Sequence, residues 1–205
     1  FSFDTETTSL DHMNAELVGL SFSTEPYNGF YIPINHKTAN KNIKLTSELK
    51  KKLKDLLENE KNKIIGQNIK YDINVLKKYD INIKSNIEDT MVLSYVFNSS
   101  GRHDLSTLSQ KYLNHKMIEY EDIVGKGVKQ KKFSEIDIQT ASDYACEDAD
   151  VTFRLYSFFY EKIDDDKQKK LYQEVERPLV GVIATTEDNG VLLDKKNLQS
   201  QNKNL

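Results

Sequence analysis

The chain lacks the features that mark membrane, secreted and disulfide-bonded proteins. No run approaches the ~20 consecutive apolar residues that a transmembrane helix needs. The opening FSFDTETTSL has no basic segment followed by an apolar one, as a secretory leader would. A single cysteine, Cys146, excludes an intramolecular disulfide and favours a reducing compartment. We therefore expect a cytoplasmic protein without membrane association.

An excess of positive charge is also missing. The 29 basic and 32 acidic residues give a formal net charge of −3, so the chain as a whole does not have the charge of a strongly basic nucleic-acid binder. With 38% hydrophobic residues, the chain can bury a core, which argues against general disorder. Local patterns must therefore indicate the function.

The first third of the chain predicts a sheet. Apolar or alternating runs over 1–5, 16–24 and 30–34 indicate three strands joined by short turns, and Pro33 indicates that the third lies at an edge or ends there. Ile64 and Ile65 begin a fourth strand. Helical spacing predicts helices after an N-cap at Thr46, over 71–79, 91–97 and 105–113, and from an N-cap at Asp137 to about Ile163.

The pattern changes after Asp164. An apolar helical stripe from Leu171 to Ile183 continues past Pro178, which predicts a kink, and the segment after Gly190 has too little apolar material to fold alone. We therefore expect one domain over 1–164, truncated at its start, and the truncated helical beginning of a second domain over 165–205.

Two carboxylates, Asp4 and Glu6, occupy alternate positions of the first predicted strand. Side chains alternate across a strand, so both acids project from the face opposite to Phe3 and Thr5. Neighbouring carboxylates repel each other unless a cation lies between them. The alternative interpretation is a strand that simply runs into a polar loop.

Asp72 lies at the start of a predicted helix and on the same face as Val75, Leu76 and Tyr79. A carboxylate on this apolar face would point inward, towards the sheet. Alternatively, Asp72 only interacts favourably with the helix dipole in the first turn.

A third acid, Asp148, lies within a core-facing stripe of the long helix, one turn after Tyr144. The stripe consists of Tyr144, Asp148, Val151, Thr152 and Leu155, whereas Glu147, Asp150 and Arg154 lie elsewhere on the helix. An unpaired buried charge costs several kcal/mol, so Asp148 needs a cation or a cluster of hydrogen bonds. A buried salt bridge to a lysine is the alternative.

Together, the four acids lie on three predicted elements and on faces that packing turns inward. Carboxylates without nearby histidine or cysteine favour Mg²⁺ or Mn²⁺ over zinc. A pair of such ions about 3.5–4 Å apart can activate a water and stabilise the leaving oxygen of a phosphodiester. The pattern therefore indicates metal-assisted phosphoryl chemistry.

Three segments, FDTETTSL, GQNIKYDINVL and YACEDADVTFRL, resemble in this order the exonuclease motifs of the proofreading domain of bacterial family A DNA polymerases (DNA polymerase I). GRHDLSTL and YEDIVGKG extend the resemblance over nearly the whole chain. It implies an α/β, ribonuclease H-like fold with a mixed five-stranded sheet, helices on both faces and a fifth strand near 87–90. The segment after Asp164 resembles the first helices of the polymerase part.

The resemblance also implies a reaction, the removal of nucleoside 5′-monophosphates from DNA 3′ ends with two divalent ions. Asp4, Glu6 and Asp148 would hold one ion, Asp4 would bridge to the second, and Asp72 would support that second ion. Tyr144 would orient the attacking water. The implied partners are a single-stranded DNA 3′ end and the remainder of the polymerase in the same chain, in a monomer associated with the bacterial nucleoid.

Substrate contacts are implied as well. Leu10 and Phe133 would wedge against the terminal bases, and the last nucleotides would contact Gln67, Asn68, Tyr71 and Arg102. Considered without the resemblance, these positions include a loop leucine, a core phenylalanine and a solvated arginine.

Other interpretations stay open. The basic run Lys126, Lys129, Lys131 and Lys132 indicates either contact with the DNA backbone or a solvated loop. A ribonuclease with the same acids and a non-catalytic module that binds single strands are alternative functions. The polymerase-like end favours DNA, and the presence of all four acids favours catalysis.

Overall fold

The computed structural model describes residues 1–38, 42–83, 86–163 and 166–202. Its sheet is built around a central strand, β1 (Ser2–Thr7). β2 (Leu17–Glu25) and β3 (Asn28–Pro33) extend the sheet antiparallel on one side, and β4 (Lys63–Gly66) and β5 (Asn86–Asp89) extend it parallel on the other. The strand order β3-β2-β1-β4-β5 confirms the mixed five-stranded sheet, with Pro33 ending an edge strand.

The predicted helices are present in order, together with helices over Tyr120–Val124 and Lys195–Asn202 that the sequence did not predict. In the described ranges they are α1 (Ser47–Leu57), α2 (Lys70–Lys77), α3 (Thr90–Phe97), α4 (Leu105–Leu108), α5 (Tyr120–Val124), α6 (Ile138–Lys162), α7 (Asp166–Leu171), α8 (Arg177–Asn189) and α9 (Lys195–Asn202). A π-helical turn over Ser109–Leu113 continues α4, and another over Tyr172–Glu176 joins α7 to α8. No helix in the described part of the chain has both the length and the hydropathy to span a bilayer.

Side-chain caps fix the ends of two helices where the sequence predicts them. Thr46 accepts a hydrogen bond from the backbone N–H of Leu49 at 3.2 Å, and Asp137 accepts one from that of Thr140 at 3.0 Å. Such caps satisfy donors that the first helical turn leaves unpaired. The 25-residue α6 therefore starts at a fixed place relative to Tyr144 and Asp148.

Helices cover both faces of the sheet, as predicted. On one face α6 packs across β1, β2, β3 and β4, with Ile65, Leu155 and Phe159 in the core. On the other face Phe3, Leu20, Leu57 and Leu76 form a second core that α1 and α2 cover. β1 is therefore buried between two helical layers, and its two faces meet different helices.

The segment after residue 165 packs against the sheet rather than away from it. Tyr172 is fully buried and donates a hydrogen bond to Glu88 of β5 at 2.8 Å, and Asn74 of α2 donates to the carbonyl of Ala184 in α8 at 3.0 Å. Two side chains of its predicted apolar stripe, Leu171 and Val175, are 44% and 53% exposed. The predicted domain boundary at 164–165 falls on residues outside the described ranges.

Candidate active site

The alternation of side chains along β1 places its acids opposite α6. Ser2 donates a hydrogen bond to the carbonyl of Ala149 in α6 at 2.6 Å, whereas Phe3 packs in the core on the other face. Because strand side chains repeat every second residue, Asp4 and Glu6 share the face of Ser2. This is the arrangement that the alternation in the sequence predicts.

Three carboxylates from two elements converge at this face. One oxygen each from Asp4, Glu6 and Asp148 lies within 4.8 Å of the others. Glu6 is only 7% exposed, and Asp4 and Asp148 are half-buried. Within the described ranges, no lysine, arginine or histidine forms an ion pair with any of the three, so the salt-bridge alternative for Asp148 has no partner there.

Asp72 approaches the same place from α2, on the other face of β1. Its Oδ1 atom accepts hydrogen bonds from the backbone N–H of Thr5 at 2.9 Å and from the Thr5 hydroxyl at 2.5 Å. Asp72 is 2% exposed and close enough to Asp4 and Glu6 for their charges to interact. It lies outside the compact group of three carboxylates.

The acids destabilise one another's charges. Burial raises the pKa of Asp4 to about 7, against a hydrogen bond from the backbone of Thr5 that lowers it. The pKa of Glu6 is raised well above its usual value, mainly by burial and then by the charges of Asp4, Asp148 and Asp72. The pKa values of Asp72 and Asp148 are raised by burial and by Asp4. A cation is the natural way to hold such a cluster ionised at neutral pH.

Tyr144 lies one helical turn before Asp148. Its hydroxyl donates a hydrogen bond to Asp148, which lowers the pKa of that carboxyl. The pKa of Tyr144 is raised above its usual value. The main cause is burial, and the charges of Asp148, Glu6 and Asp4 add to it. The phenol therefore stays protonated at neutral pH and is held beside the carboxylates.

An open groove of about 570 Å³ lies above the acids. It is lined by Asp4, Thr5, Glu6, Thr7, Thr8, Ser9, Leu10, Tyr71, Tyr120, Gln130, Lys131, Lys132, Tyr144 and Asp148. Its floor is acidic, and its rim carries aromatic, apolar and basic side chains. The groove is therefore large enough to admit a ligand to the carboxylates.

Two of the predicted substrate-contact residues, Leu10 and Tyr71, line this groove. Leu10 is 96% exposed, in the loop that follows β1. The Tyr71 hydroxyl donates a hydrogen bond to the carbonyl of Ser9 at 2.5 Å and lies 2.5 Å from the hydroxyl of Thr7. Tyr71 thereby ties the start of α2 to the end of β1.

Three other predicted contacts do not line the groove. The Gln67 amide donates to the carbonyl of His103 at 2.8 Å and accepts from the Thr90 hydroxyl at 2.5 Å. Asn68 adopts a left-handed conformation with φ of 59°. Arg102 forms an ion pair with Asp104 at 2.9 Å, with 81% of its side chain exposed.

Phe133, the remaining predicted contact, is buried and does not line the groove. It is only 1% exposed and packs beneath Tyr120 and Tyr144, with ring centroids 6.4 and 5.9 Å away. Phe133 therefore lies in the core, and its ring exposes no face to the groove. Tyr120, 41% exposed and parallel to Phe133 within 7°, presents the aromatic surface to the groove instead. The sequence signal that could have identified Tyr120 is its place as the first residue of YEDIVGKG, a segment that takes part in the family resemblance.

Sequence reasoning also missed Asp89, which orders the segment before Asp72. Its carboxylate accepts hydrogen bonds from the backbone N–H groups of Asn68 and Ile69 at 3.2 and 2.9 Å, and from those of Met91 and Val92 at 2.9 and 3.2 Å. One buried acid thus caps α3 and fixes the entry to α2. A cap signal before TMVL in the sequence could have identified it.

The residues fit a centre for divalent ions. All of the converging donors are carboxylate oxygens, which favour hard cations such as Mg²⁺ and Mn²⁺. In addition, the Oε1 atom of Glu6 is buried without a hydrogen-bond partner among the described residues. A buried acceptor of this kind is costly unless a ligand satisfies it.

Comparison with known proteins identifies the family. Residues 1–164 match the sequence model of a family described as 3′-5′ exonuclease. The chain belongs to this family. It is 41% identical over its whole length to DNA polymerase I of Pseudomonas aeruginosa, and 40% identical over 97% of its length to DNA polymerase I of Borreliella burgdorferi. These matches confirm the resemblance that the exonuclease motifs indicate.

This member of the exonuclease family is much shorter than these relatives. It spans 23% of the length of the Pseudomonas aeruginosa protein and 21% of the length of the Borreliella burgdorferi protein. Among solved structures, Brucella melitensis NrnC with bound Mg²⁺ has a TM-score of 0.65 at 17% identity, over 90% of this chain and 81% of NrnC. At this identity the likeness concerns the fold, and it agrees with the ribonuclease H-like sheet described above.

Proposed function

We propose that this site removes nucleoside 5′-monophosphates one at a time from the 3′ end of single-stranded DNA, as the proofreading part of a larger DNA polymerase. The observation that carries the proposal is the convergence of Asp4, Glu6 and Asp148 within 4.8 Å, without a basic partner in the described ranges. Membership of the 3′-5′ exonuclease family and the likeness to bacterial DNA polymerase I support it.

Divalent ions are part of the proposal. Asp4, Glu6 and Asp148 would hold one ion, and Asp4 with Asp72 would hold the second, with Mg²⁺ or Mn²⁺ as the metal. When bound, such ions make water a better nucleophile and stabilise the charge on the leaving oxygen. The unpartnered Oε1 of Glu6 supports a ligand at this place, and the related fold of NrnC is known with bound Mg²⁺.

Tyr144 has a positional role in the proposal. Its protonated hydroxyl, held by Asp148, can hydrogen-bond to the attacking water and orient it towards the phosphorus. When an enzyme holds a nucleophile in the geometry of attack, it lowers the activation barrier substantially, and many enzymes owe a large part of their rate acceleration to this effect. The raised pKa of Tyr144 makes it a poor base at neutral pH, so orientation is the role that we assign to it.

The groove supports a single strand as the substrate. Leu10, Tyr71 and Tyr120 offer apolar and aromatic surfaces around the acids, and stacking on an aromatic ring tolerates any base. Gln67, Asn68 and Arg102, which do not line the groove, are proposed to act by holding the segments that do, or by reaching nucleotides beyond it. The remainder of the polymerase in the same chain is the proposed partner.

The decisive experiment follows the release of mononucleotides from 3′-labelled single-stranded DNA. We expect hydrolysis with Mg²⁺ or Mn²⁺, none with EDTA, and a loss of about 10³-fold or more in Asp148→Asn, because each metal-binding effect contributes several kcal/mol. Asp143→Asn is the matched control, since Asp143 is exposed on the same helix and lies outside the groove. Normal digestion by Asp148→Asn would contradict the proposal.

A matched RNA oligonucleotide tests the ribonuclease alternative. The polymerase relatives favour DNA, so we expect DNA to be degraded faster than RNA of the same sequence. Preferential cleavage of RNA would replace DNA as the proposed substrate while leaving the metal centre in place. A complete absence of hydrolysis at every Mn²⁺ concentration would favour a binding module instead.

A further inference from the structure

Two lysines stand at the rim of the acidic groove. Lys131 and Lys132 are both exposed and line the groove together with Asp4 and Glu6. In the described ranges, neither ammonium group forms an ion pair. Lys126, from the same basic run, differs because it pairs with Glu121 at 2.6 Å and does not line the groove.

The backbone that carries these lysines is fixed. The N–H of Lys131 donates to the carbonyl of Val124 at 2.8 Å, and that of Lys132 donates to the carboxylate of Glu135 at 3.1 Å. The next residue, Phe133, is buried in the core beneath Tyr144. The two ammonium groups therefore extend from an anchored segment, which argues against the interpretation as a freely solvated loop.

Glu135, the acid nearest to them in sequence, forms its ion pair with another lysine, and the charge of Lys132 also lowers the pKa of the Glu135 carboxyl. Glu135 accepts the backbone N–H of Lys132 through Oε2, and its Oε1 atom pairs with Lys37 at 3.0 Å. The carboxylates of the groove floor are proposed to bind divalent ions, which leaves the rim lysines as the unpaired positive charges beside them. Sites that bind single-stranded nucleic acids combine positively charged side chains with aromatic rings on which the bases stack. Tyr120 provides such a ring in the same groove as the two lysines.

We propose that Lys131 and Lys132 bind backbone phosphates of the strand upstream of the scissile bond and set the affinity for oligonucleotides. This inference rests on the proposed nuclease function. Lysine contacts phosphates as a point charge and does not read bases, so the affinity would be independent of sequence, as an exonuclease that removes any terminal nucleotide requires. The rate of the chemical step should not depend on either lysine.

The first test compares Lys131→Ala/Lys132→Ala with the control Lys126→Ala on single-stranded oligothymidylate over a range of salt concentrations. We expect KM to rise by about tenfold in the double variant while kcat stays within about twofold. Each phosphate contact contributes ~0.7 to the slope of log affinity against log salt for single strands, so the slope should fall by about 1.4. Lys126→Ala should leave both quantities unchanged, and Lys131→Arg/Lys132→Arg should restore them.

The second test uses the p-nitrophenyl ester of thymidine 5′-monophosphate, which has one phosphodiester and no upstream phosphate. The double variant should cleave it at the rate of the unmodified chain. Equal losses on the ester and on the oligonucleotide, or an unchanged KM and salt slope on the oligonucleotide, would overturn the inference.

The third measurement separates this inference from the nuclease proposal. Fluorescence anisotropy of a labelled oligothymidylate in EDTA reports binding without hydrolysis. If the unmodified chain binds the oligonucleotide but cleaves neither substrate, the nuclease proposal fails, and weaker binding by Lys131→Ala/Lys132→Ala would still support the phosphate contacts. Equal binding by both proteins would refute them.

Discussion

Thr5 donates two hydrogen bonds to a single oxygen of Asp72, one from its backbone N–H at 2.9 Å and one from its hydroxyl at 2.5 Å. Thr5 lies between Asp4 and Glu6, whose side chains project from the opposite face of β1. One short strand therefore supplies two acids directly and fixes a third. Asp72 is also close enough to Asp4 for their charges to interact, and in the proposed function it would help to hold a metal ion.

Removal of the Thr5 hydroxyl should impair the site without removing a proposed ligand. Thr5→Val keeps the shape of the side chain and the backbone donor but leaves Asp72 with one hydrogen bond from this residue instead of two. Loss of such a supporting partner costs about 10–100-fold in metal affinity or activity, so we expect a reduction of that size. The Mg²⁺ concentration at half-maximal rate should rise as well.

Thr5→Ser is the matched control for this change. Serine retains the hydroxyl that donates to Asp72 and loses only a methyl group, so its rate should stay near that of the unmodified chain. Full activity in Thr5→Val would show that the hydroxyl does not hold Asp72 in a productive position.

The raised pKa values predict how the stability of the metal-free protein depends on pH. The folded state holds protons on Asp4, whose pKa rises from 3.8 to about 7, and on Glu6, Asp72 and Asp148, whose pKa values rise as well. At these four carboxyls the folded chain binds more protons than the unfolded chain, so their contribution to the free energy of unfolding falls as pH rises from about 4 through 7. Burial lowers the pKa values of His36 and His103, which contribute with the opposite sign, and we expect the four clustered acids to outweigh them. Thermal unfolding in EDTA should occur at least about 2–4 °C higher at pH 5.5 than at pH 8, the shift that about 1 kcal/mol gives in a chain of this size.

Two controls identify the acids as the cause. Asp4→Asn removes one of the repelling charges, so its melting temperature should vary less with pH and should exceed that of the unmodified metal-free chain at pH 8. Saturating Mg²⁺ should restore stability at pH 8 but act weakly at pH 5.5, where protons compete for the same oxygens. A melting temperature that rises from pH 5.5 to pH 8 in EDTA would contradict the pKa shifts.

Tyr144→Phe separates orientation of the nucleophile from metal binding. The variant loses the hydroxyl that donates to Asp148 but keeps the ring packed on Phe133. We expect kcat to fall by about 10²-fold, the cost of a misplaced reactant, while the Mg²⁺ dependence of the rate changes little. A large rise in the Mg²⁺ requirement with unchanged kcat at saturation would instead assign Tyr144 to the metal centre.

The sequence predicted those parts of the fold and site that depend on short-range periodicity. Alternation along β1 placed Asp4 and Glu6 together, and helical spacing placed Tyr144 one turn before Asp148 on the core-facing side of α6. The caps at Thr46 and Asp137 were also predictable, because each depends on an interaction with the third residue that follows.

Contacts between distant segments were not predictable from periodicity. Whether Phe133 or Tyr120 faces the groove depends on how α5 and the 3₁₀ turn at Phe133–Glu135 pack on α6. The Thr5–Asp72 contact joins residues that are 67 positions apart, and the docking of Tyr172 on Glu88 joins residues 84 apart. No local pattern encodes such pairings, so the contacts that support the site were visible only in the structure.

Asp150 and Asp148 lie two residues apart on α6, yet their loss should have opposite effects. Asp150 faces the β2–β3 turn, where its carboxylate accepts the backbone N–H of Tyr27 and pairs with Arg154 at 3.1 Å. Arg154 in turn lies 4.4 Å from the centre of the Tyr27 ring. This buried acid is compensated, so it contributes to stability and has no part in the proposed chemistry.

Asp150→Asn should therefore destabilise the chain and leave its activity unchanged. Hydrogen bonds to a charged group are worth about 1.5–3 kcal/mol, which corresponds to a melting temperature lower by roughly 3–12 °C for a chain of this size. Asp148→Asn should instead raise the melting temperature in EDTA at pH 8, because it removes a charge that burial and Asp4 destabilise, and it should abolish hydrolysis. Both predictions are tested by recording melting curves and mononucleotide release at 25 °C for the two variants. A folded Asp150→Asn variant without hydrolysis would contradict the purely structural role of Asp150. A lower melting temperature of Asp148→Asn in EDTA would contradict the role of Asp148 as an uncompensated, metal-binding acid.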